Sequence, residues 1–209
     1  MLNRSTREAG NCKFNRRIVL LFLLMVTAVS RTNADQFFLI LDPSFYRSPL
    51  TIPIEGTAHT LLAYYRVVDS ETLAPAKPQE LAEKDRPVSV RETLAHARRL
   101  LGIVKPEYIR DSNGVITALR IESFDPTFSS ILLLPDLGNR YGDLLGPNCY
   151  FAVPNRQTVL FFPRLATNIQ SFASLVYSLY HNDPWPISTE IFEIADGHLR
   201  VCGHFNDDF

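Results

Sequence analysis

The chain has 209 residues, 46% of them hydrophobic and 21% charged, with a formal net charge of −1. That composition is typical of a soluble globular protein, and no repeat, charge block or low-complexity tract interrupts it. Three cysteines in a chain of this length exclude a disulfide-rich scaffold, so the fold must rest on its core.

The N-terminus is organised differently from the rest. Arg4, Arg7, Lys13, Arg16 and Arg17 precede the uncharged run "IVLLFLLMVTAV", Ile18 to Val29. As a helix that run rises about 18 Å, short of the ~30 Å hydrocarbon core of a bilayer. Thr32-Asn33-Ala34 follows, with small residues spaced as in a cleavage site. Residues 1–34 therefore read as a signal peptide, which predicts export to the periplasm or outside the cell and a single domain over 35–209 with no stable membrane span. The alternatives are a buried N-terminal helix or an uncleaved anchor. The residues after Arg16-Arg17 are ordinary, so no cofactor-loaded export route is inferred. Cleavage takes six basic residues and one acid from totals of 21 and 22, leaving 15 and 21, a net charge of −6. An acidic surface argues against nonspecific binding of nucleic acid or anionic lipid. Cys12 leaves with the signal, so Cys149 and Cys202 remain as the one candidate disulfide.

Gln36 to Gly56 contains Pro43, Pro49 and Pro53 and predicts short extended pieces. "TLLAYYRVV", Thr60 to Val68, reads as a strand. Asp69 to Pro87 is polar, holds three prolines and resembles a linker, with a helical turn near Gln79 to Lys84. Ser89 and Glu92 form a capping box, Gly102 a stop, and Val90, Leu94, Ala97 and Leu101 recur at helical spacing between them. Arg91, Arg98 and Arg99 read as that helix's solvated face. Asn113-Gly114 marks a hairpin, and Asp125-Pro126 opens a helix through "TFSSILLL" that Pro135 ends. Cys149–Val153 and Thr158–Phe162 read as strands about the turn Pro154-Asn155-Arg156-Gln157. Thr167 and Gln170 make a second capping box, followed by an apolar stripe from Ile169 to Tyr180. Ile187–Ile194 and His198–Phe205 pair across Asp196-Gly197. The result is an α+β fold: a mainly antiparallel sheet built from hairpins, two or three helices packed on it, and a C-terminal ββαββ unit.

The order of "AYYRVV", a helix at Ser89, "FDPTFSSILLLPDLGNRYGDLLG", "YFAVPNRQTVLFF" and "PISTEIFEIADGHL" resembles the YtpQ-like family of domains of unknown function, over roughly Leu61 to Val201. The likeness implies the same α+β fold and carries no activity; Asn155 and Arg156 inherit from it only a place in a hairpin. The typical member is cytoplasmic, lacks a signal peptide and has a longer N-terminal region.

Few residues point to chemistry. No G-x-S-x-G elbow accompanies Ser44 or Ser48 in "DPSFYRSP", and no glycine-rich nucleotide fingerprint occurs. In "GHLRVCGHF" the alternation of a strand places His198, Arg200, Cys202 and His204 on one face. His198, Cys202 and His204 are thus the candidate metal ligands, opposed by the charge of Arg200; the plainer reading is the outer face of a last strand. Cys149 shares its face with Phe151 and Val153, and Cys202 lies on the polar face. That arrangement separates the two thiols unless a bulge, or a sheet covered on both sides, brings them together. Trp185, between two prolines, reads as a plug in the core or an exposed anchor for a partner. Arg156 reads as a turn residue, solvated or stacked on a neighbour. Asp207 and Asp208 read as solvated charge at a frayed end. With no catalytic or cofactor signature, the chain is expected to be a non-catalytic binding or assembly module that uses no cofactor. The alternative is an enzyme, a hydrolase or a metal-dependent one, with its site near the C-terminal strand.

Overall fold

A computed structural model describes residues 36–206 apart from Ser70 and Thr167. The signal-peptide reading of residues 1–34, the threonine of the second capping box, and Asp207 and Asp208 lie outside the described residues. Those that are described all belong to the unit Asn33–Phe209.

The α+β reading holds, with the strands divided between two antiparallel sheets. The first is built on β3 (Thr60–Val67), which pairs along one edge with β1 (Phe37–Pro43) and along the other with β2 (Thr51–Pro53) and β4 (Leu73–Pro75). β1 is longer than the prolines of its region suggested, because Pro43 ends the strand instead of interrupting it. All seven of its residues are buried. Leu39 and Leu41 enter the main core, while Phe38 and Ile40 pack with Ala63 and Tyr65 on the opposite face. A continuous apolar run is what a strand covered on both faces requires.

The free edge of β1 is closed by hydroxyl groups. Leu39 N–H donates to Thr93 Oγ1 at 3.0 Å, Leu41 N–H to Ser129 Oγ at 3.2 Å, and Ser89 Oγ donates to the Phe37 carbonyl at 2.8 Å. A buried edge strand must satisfy these groups somewhere. This requirement corrects the capping box at Ser89. Helix α1 starts earlier, at Arg86, with Pro87 in its first turn, so that Ser89 sits inside it facing β1. Nor is Gly102 the stop: α1 runs Arg86–Ile103 and ends at Val104, which is extended ahead of Lys105-Pro106. Asp125-Pro126 likewise opens a 3-10 helix, Phe128–Leu133, in place of an α-helix. Five consecutive residues there, Phe128 to Leu132, are buried, which no amphipathic α-helix on a surface would give. The linker-like segment 69–87 holds β4 and the 3-10 turn Glu83–Asp85, and its Ala76 and Leu81 are core residues.

The second sheet contains β5 (Glu107–Arg110), β6 (Ile116–Glu122), β7 (Tyr150–Asn155), β8 (Thr158–Phe162), β9 (Glu190–Ala195) and β10 (His198–His204). Their order is β10-β9-β7-β8-β6-β5. Asn113-Gly114 lies in the β5–β6 turn. Asp196 (φ 52°) and Gly197 (φ 77°) turn β9 into β10, the double positive φ of a tight hairpin. After the four-residue helix α2 (Gly142–Leu145) comes α3 (Ala173–His181), entered through a 3-10 turn at Ile169–Phe172. The Gln170 amide donates to the His204 carbonyl and accepts from Asn206 N–H. The C-terminal unit is therefore hairpin, helix, hairpin, as the sequence indicated. α3 sets Ala173 and Val176 against Ala152, Leu160 and Phe162 on one face of the sheet. Phe151, Val159, Phe161 and Phe192 on the other face join Leu39, Leu41 and Tyr64 in the core between the sheets.

Two of the contacts between the sheets are made by the segment leading into β3. Val201 N–H donates to the Glu55 carbonyl at 2.8 Å, and Gly56 follows with φ 78°. A Cβ there would lie 2.5 Å from the Val201 carbonyl oxygen. Gly56→Ala is thus expected to destabilise the fold by about 2–4 kcal/mol, the sum of a left-handed backbone penalty and an overpacked contact, as read by urea denaturation. The second contact is Glu190, which is buried. It accepts from Ala58 N–H (2.8 Å), His59 N–H (3.3 Å), Thr57 Oγ1 (3.2 Å), Ser188 Oγ (3.1 Å) and Thr60 Oγ1. Among the described residues no helix is long and apolar enough to cross a membrane.

Candidate functional site

The β7–β8 hairpin turns through two residues, Arg156 and Gln157; Pro154 and Asn155 belong to β7. Trp185-Pro186-Ile187 runs beside it. Arg156 N–H donates to the Trp185 carbonyl (3.3 Å) and Ile187 N–H to the Pro154 carbonyl (2.8 Å). Asn155 stiffens the corner by donating to the Leu179 carbonyl and accepting from Gln157 N–H. The turn is thus held on both sides, and its arginine is not solvated. Arg156 is only 9% exposed.

Its partner arrives from the far end of the sequence. Asp42 extends the Phe38–Ile40 face of β1, and its carboxylate is fully buried. An ionisable group in such a place needs both charge and hydrogen-bond partners. Ser48 Oγ donates to Asp42 Oδ2 at 2.7 Å, Tyr65 O–H to the same oxygen at 2.9 Å, and Arg156 Nη2 to Oδ1 at 3.3 Å. Arg156 Nη2 also donates to the Tyr65 hydroxyl at 3.3 Å. Burial pushes the Asp42 carboxyl above its ordinary value, against the pull of Ser48, Tyr65 and Arg156. Burial also pushes the Tyr65 phenol up to about 12, so it remains a donor at physiological pH. Ser48, weighed as a nucleophile in the sequence, is a donor in this network.

Three rings surround the guanidinium. Its carbon lies 5.0 Å from the centroid of Trp185, 5.2 Å from that of Tyr65 and 6.0 Å from that of Tyr46, within the range of cation–π attraction. Nη2 is committed to Asp42 and Tyr65, Nη1 has no hydrogen-bond partner among the described residues, and Nε is buried without one. Above this floor opens a cavity of about 640 Å³. Tyr46, Tyr65, Phe124 and Trp185 supply its aromatic wall, Leu73, Pro75 and Pro126 its aliphatic one, and Gln157, Glu71 and Thr72 further polar groups. Phe124 is 91% exposed and Trp185 51%, so the mouth is lined by apolar surface open to water. Trp185 is therefore no plug of the core; it covers Arg156.

The residues singled out on the last strand are not brought together. A bulge between Val201 and Gly203 breaks the alternation that placed Cys202 on a face with His198 and His204. Arg200 is neutralised by the buried Glu193, which it shares with Arg164. Among the described residues no three of His, Cys, Asp and Glu gather in a cation-holding arrangement. Cys149 and Cys202 are both free thiols. Cys149 is buried and donates to the Gly146 carbonyl, its pKa pushed up by burial to about 11; Cys202 is exposed and donates to the Ile191 carbonyl.

Sequence reasoning missed Asp42, Tyr65 and the role of Arg156, because 114 residues separate the ion pair. One signal was present: an aspartate closing the run "FFLILD", where a charge in a two-sided buried strand demands a partner. Compared with family models, curated proteins and solved structures, the chain matches none, so the resemblance to the YtpQ-like family rests on the quoted words alone.

Proposed function

We propose that this protein is an exported, non-catalytic binding module whose ligand sits in the cavity over Arg156. The observation that carries the reading is the guanidinium itself: a buried cation among three aromatic rings, with Nη1 unpartnered among the described residues, at the floor of a mostly apolar cavity. Its volume falls within the 300–1,000 Å³ typical of small-molecule sites, and a mostly apolar lining with few converging polar groups is their usual chemistry. The network below is preorganised. Asp42, Ser48 and Tyr65 fix Arg156 before any ligand arrives, which reduces the ordering cost of binding. Export is proposed from the charged and apolar segments of residues 1–34; intact mass of protein recovered from its native cells should begin at Asp35, and a chain retaining residues 1–34 would overturn it.

Trp185 is the only tryptophan in the chain, so its emission reports on the cavity. In a screen of small aromatic and aliphatic compounds, anionic, neutral and cationic, some are expected to shift that emission saturably in the folded protein. The reading fails if no compound binds, or if those that bind by calorimetry leave Trp185 unchanged.

A further inference from the structure

Resting on that reading, the geometry points to a ligand class: we propose that the cavity takes a small aromatic carboxylate, its acid group on Nη1 of Arg156 and its ring against the rings of the cavity wall. The floor decides the charge. A guanidinium can only donate, so a ligand group that meets it must accept. Nη1 has no partner among the described residues and Nε is buried without one, an arrangement that leaves hydrogen-bonding capacity unused at a nine-tenths-buried cation. Asp42 does not cancel this capacity toward the cavity. It is fully buried, and both its oxygens already accept, from Ser48, Tyr65 and Arg156.

A cationic ligand is disfavoured on two counts. The π faces of Trp185, Tyr65 and Tyr46 are already turned to one cation, and a second would approach it closely. Glu71, the one carboxylate among the lining residues, is exposed, where its field is screened by water. Size and lining decide the rest. A cavity of about 640 Å³ is far too large for a bare inorganic anion, and the ring of Phe124 at 91% exposure, with Trp185 at 51%, offers flat apolar surface that stacking would cover. With Nη2 committed to Asp42 and Tyr65, the contact falls to Nη1, whose N–H groups carry the full charge assistance of a guanidinium toward a carboxylate.

The test compares three probes of one shape by calorimetry on the native protein: 2-naphthoate, 2-naphthamide and 2-naphthylmethylammonium. Both the carboxylate and the amide would accept from a charged donor, but only the carboxylate adds the attraction of opposite charges, so naphthoate is expected to bind about tenfold more tightly than the amide, with the ammonium weakest. Removing both charges together, in Asp42→Asn with Arg156→Gln, keeps a neutral hydrogen-bonding pair and should bring naphthoate down to the affinity of the amide. If the amide or the ammonium matches naphthoate on the native protein, the ligand class is wrong while the cavity remains a binding site. If none of the three binds and the broader screen is also empty, the binding reading itself falls.

Discussion

Arg156→Met is expected to destabilise the protein by about 3–5 kcal/mol at neutral pH, although the residue lies in a two-residue hairpin turn. Most turn substitutions at an exposed side chain fall within about 0.5 kcal/mol. Arg156 differs because its removal strands the fully buried Asp42 with only Ser48 and Tyr65 as donors. The deficit comes from the carboxylate left behind, so Asp42→Asn combined with Arg156→Met should recover most of it. The pH dependence follows the same logic. The folded pKa of Asp42 is raised above its ordinary value of 3.8, so the stability it contributes is fully present below that value and is lost as the pH rises through the folded one. Without Arg156 the neutral acid is favoured further, and the gap between Arg156→Met and the native protein narrows as the pH falls. Urea denaturation at a series of pH values reads both effects; a penalty under about 1 kcal/mol at neutral pH would show that the pair is not buried in solution.

The second large effect belongs to Glu190→Ala, at about 3–5 kcal/mol. Its carboxylate gathers donors from Thr57, Ala58, His59 and Thr60 on one side and Ser188 on the other, so its loss unpairs several groups at once and releases the connection into β3. The sign of its titration is opposite to that of Asp42. Burial pushes Glu190 up, but the hydrogen bonds from Thr60, Ala58, Ser188 and His59 outweigh it and hold the pKa below the ordinary 4.5. Its contribution is therefore present above pH 4.5 and is lost as the pH falls through the folded value. Acid unfolding should begin at this clamp, and Glu190→Gln, already weakened at neutral pH, should show a flatter acid limb. An unchanged acid limb would place the responsible carboxylate elsewhere.

Much of the architecture was legible because it is written locally. Asn113-Gly114 and Asp196-Gly197 turn where their backbone preferences require, and the stripe from Ile169 to Tyr177 packs on the sheet as its apolar face predicted, with Tyr180 outside that cluster. The misreadings share one cause, a residue whose local meaning yields to a distant partner. Ser89 has the spacing of a helix cap but closes the edge of β1 instead. Cys202 alternates with His198 and His204 in the sequence until a bulge shifts it. Arg156 reads as a turn residue because nothing within a few positions engages it. Its partners Asp42 and Tyr65 come from another sheet, and no spacing rule connects β1, β3 and the β7–β8 hairpin. The clue was chemical: a charge at the end of an apolar strand, and a tryptophan held between prolines at the surface.

The most direct measurement is the nitrogen-15 spectrum of the Arg156 guanidinium during titration with 2-naphthoate. A buried Nε–H exchanges slowly with water and gives a resolved signal in the free protein, assignable by its loss in Arg156→Lys. A ligand seated over Arg156 moves that signal and the indole N–H of Trp185 together, saturating at one equivalent. A naphthoate that binds while both signals stay in place would contradict the account, since the cavity over Arg156 would then not be the site.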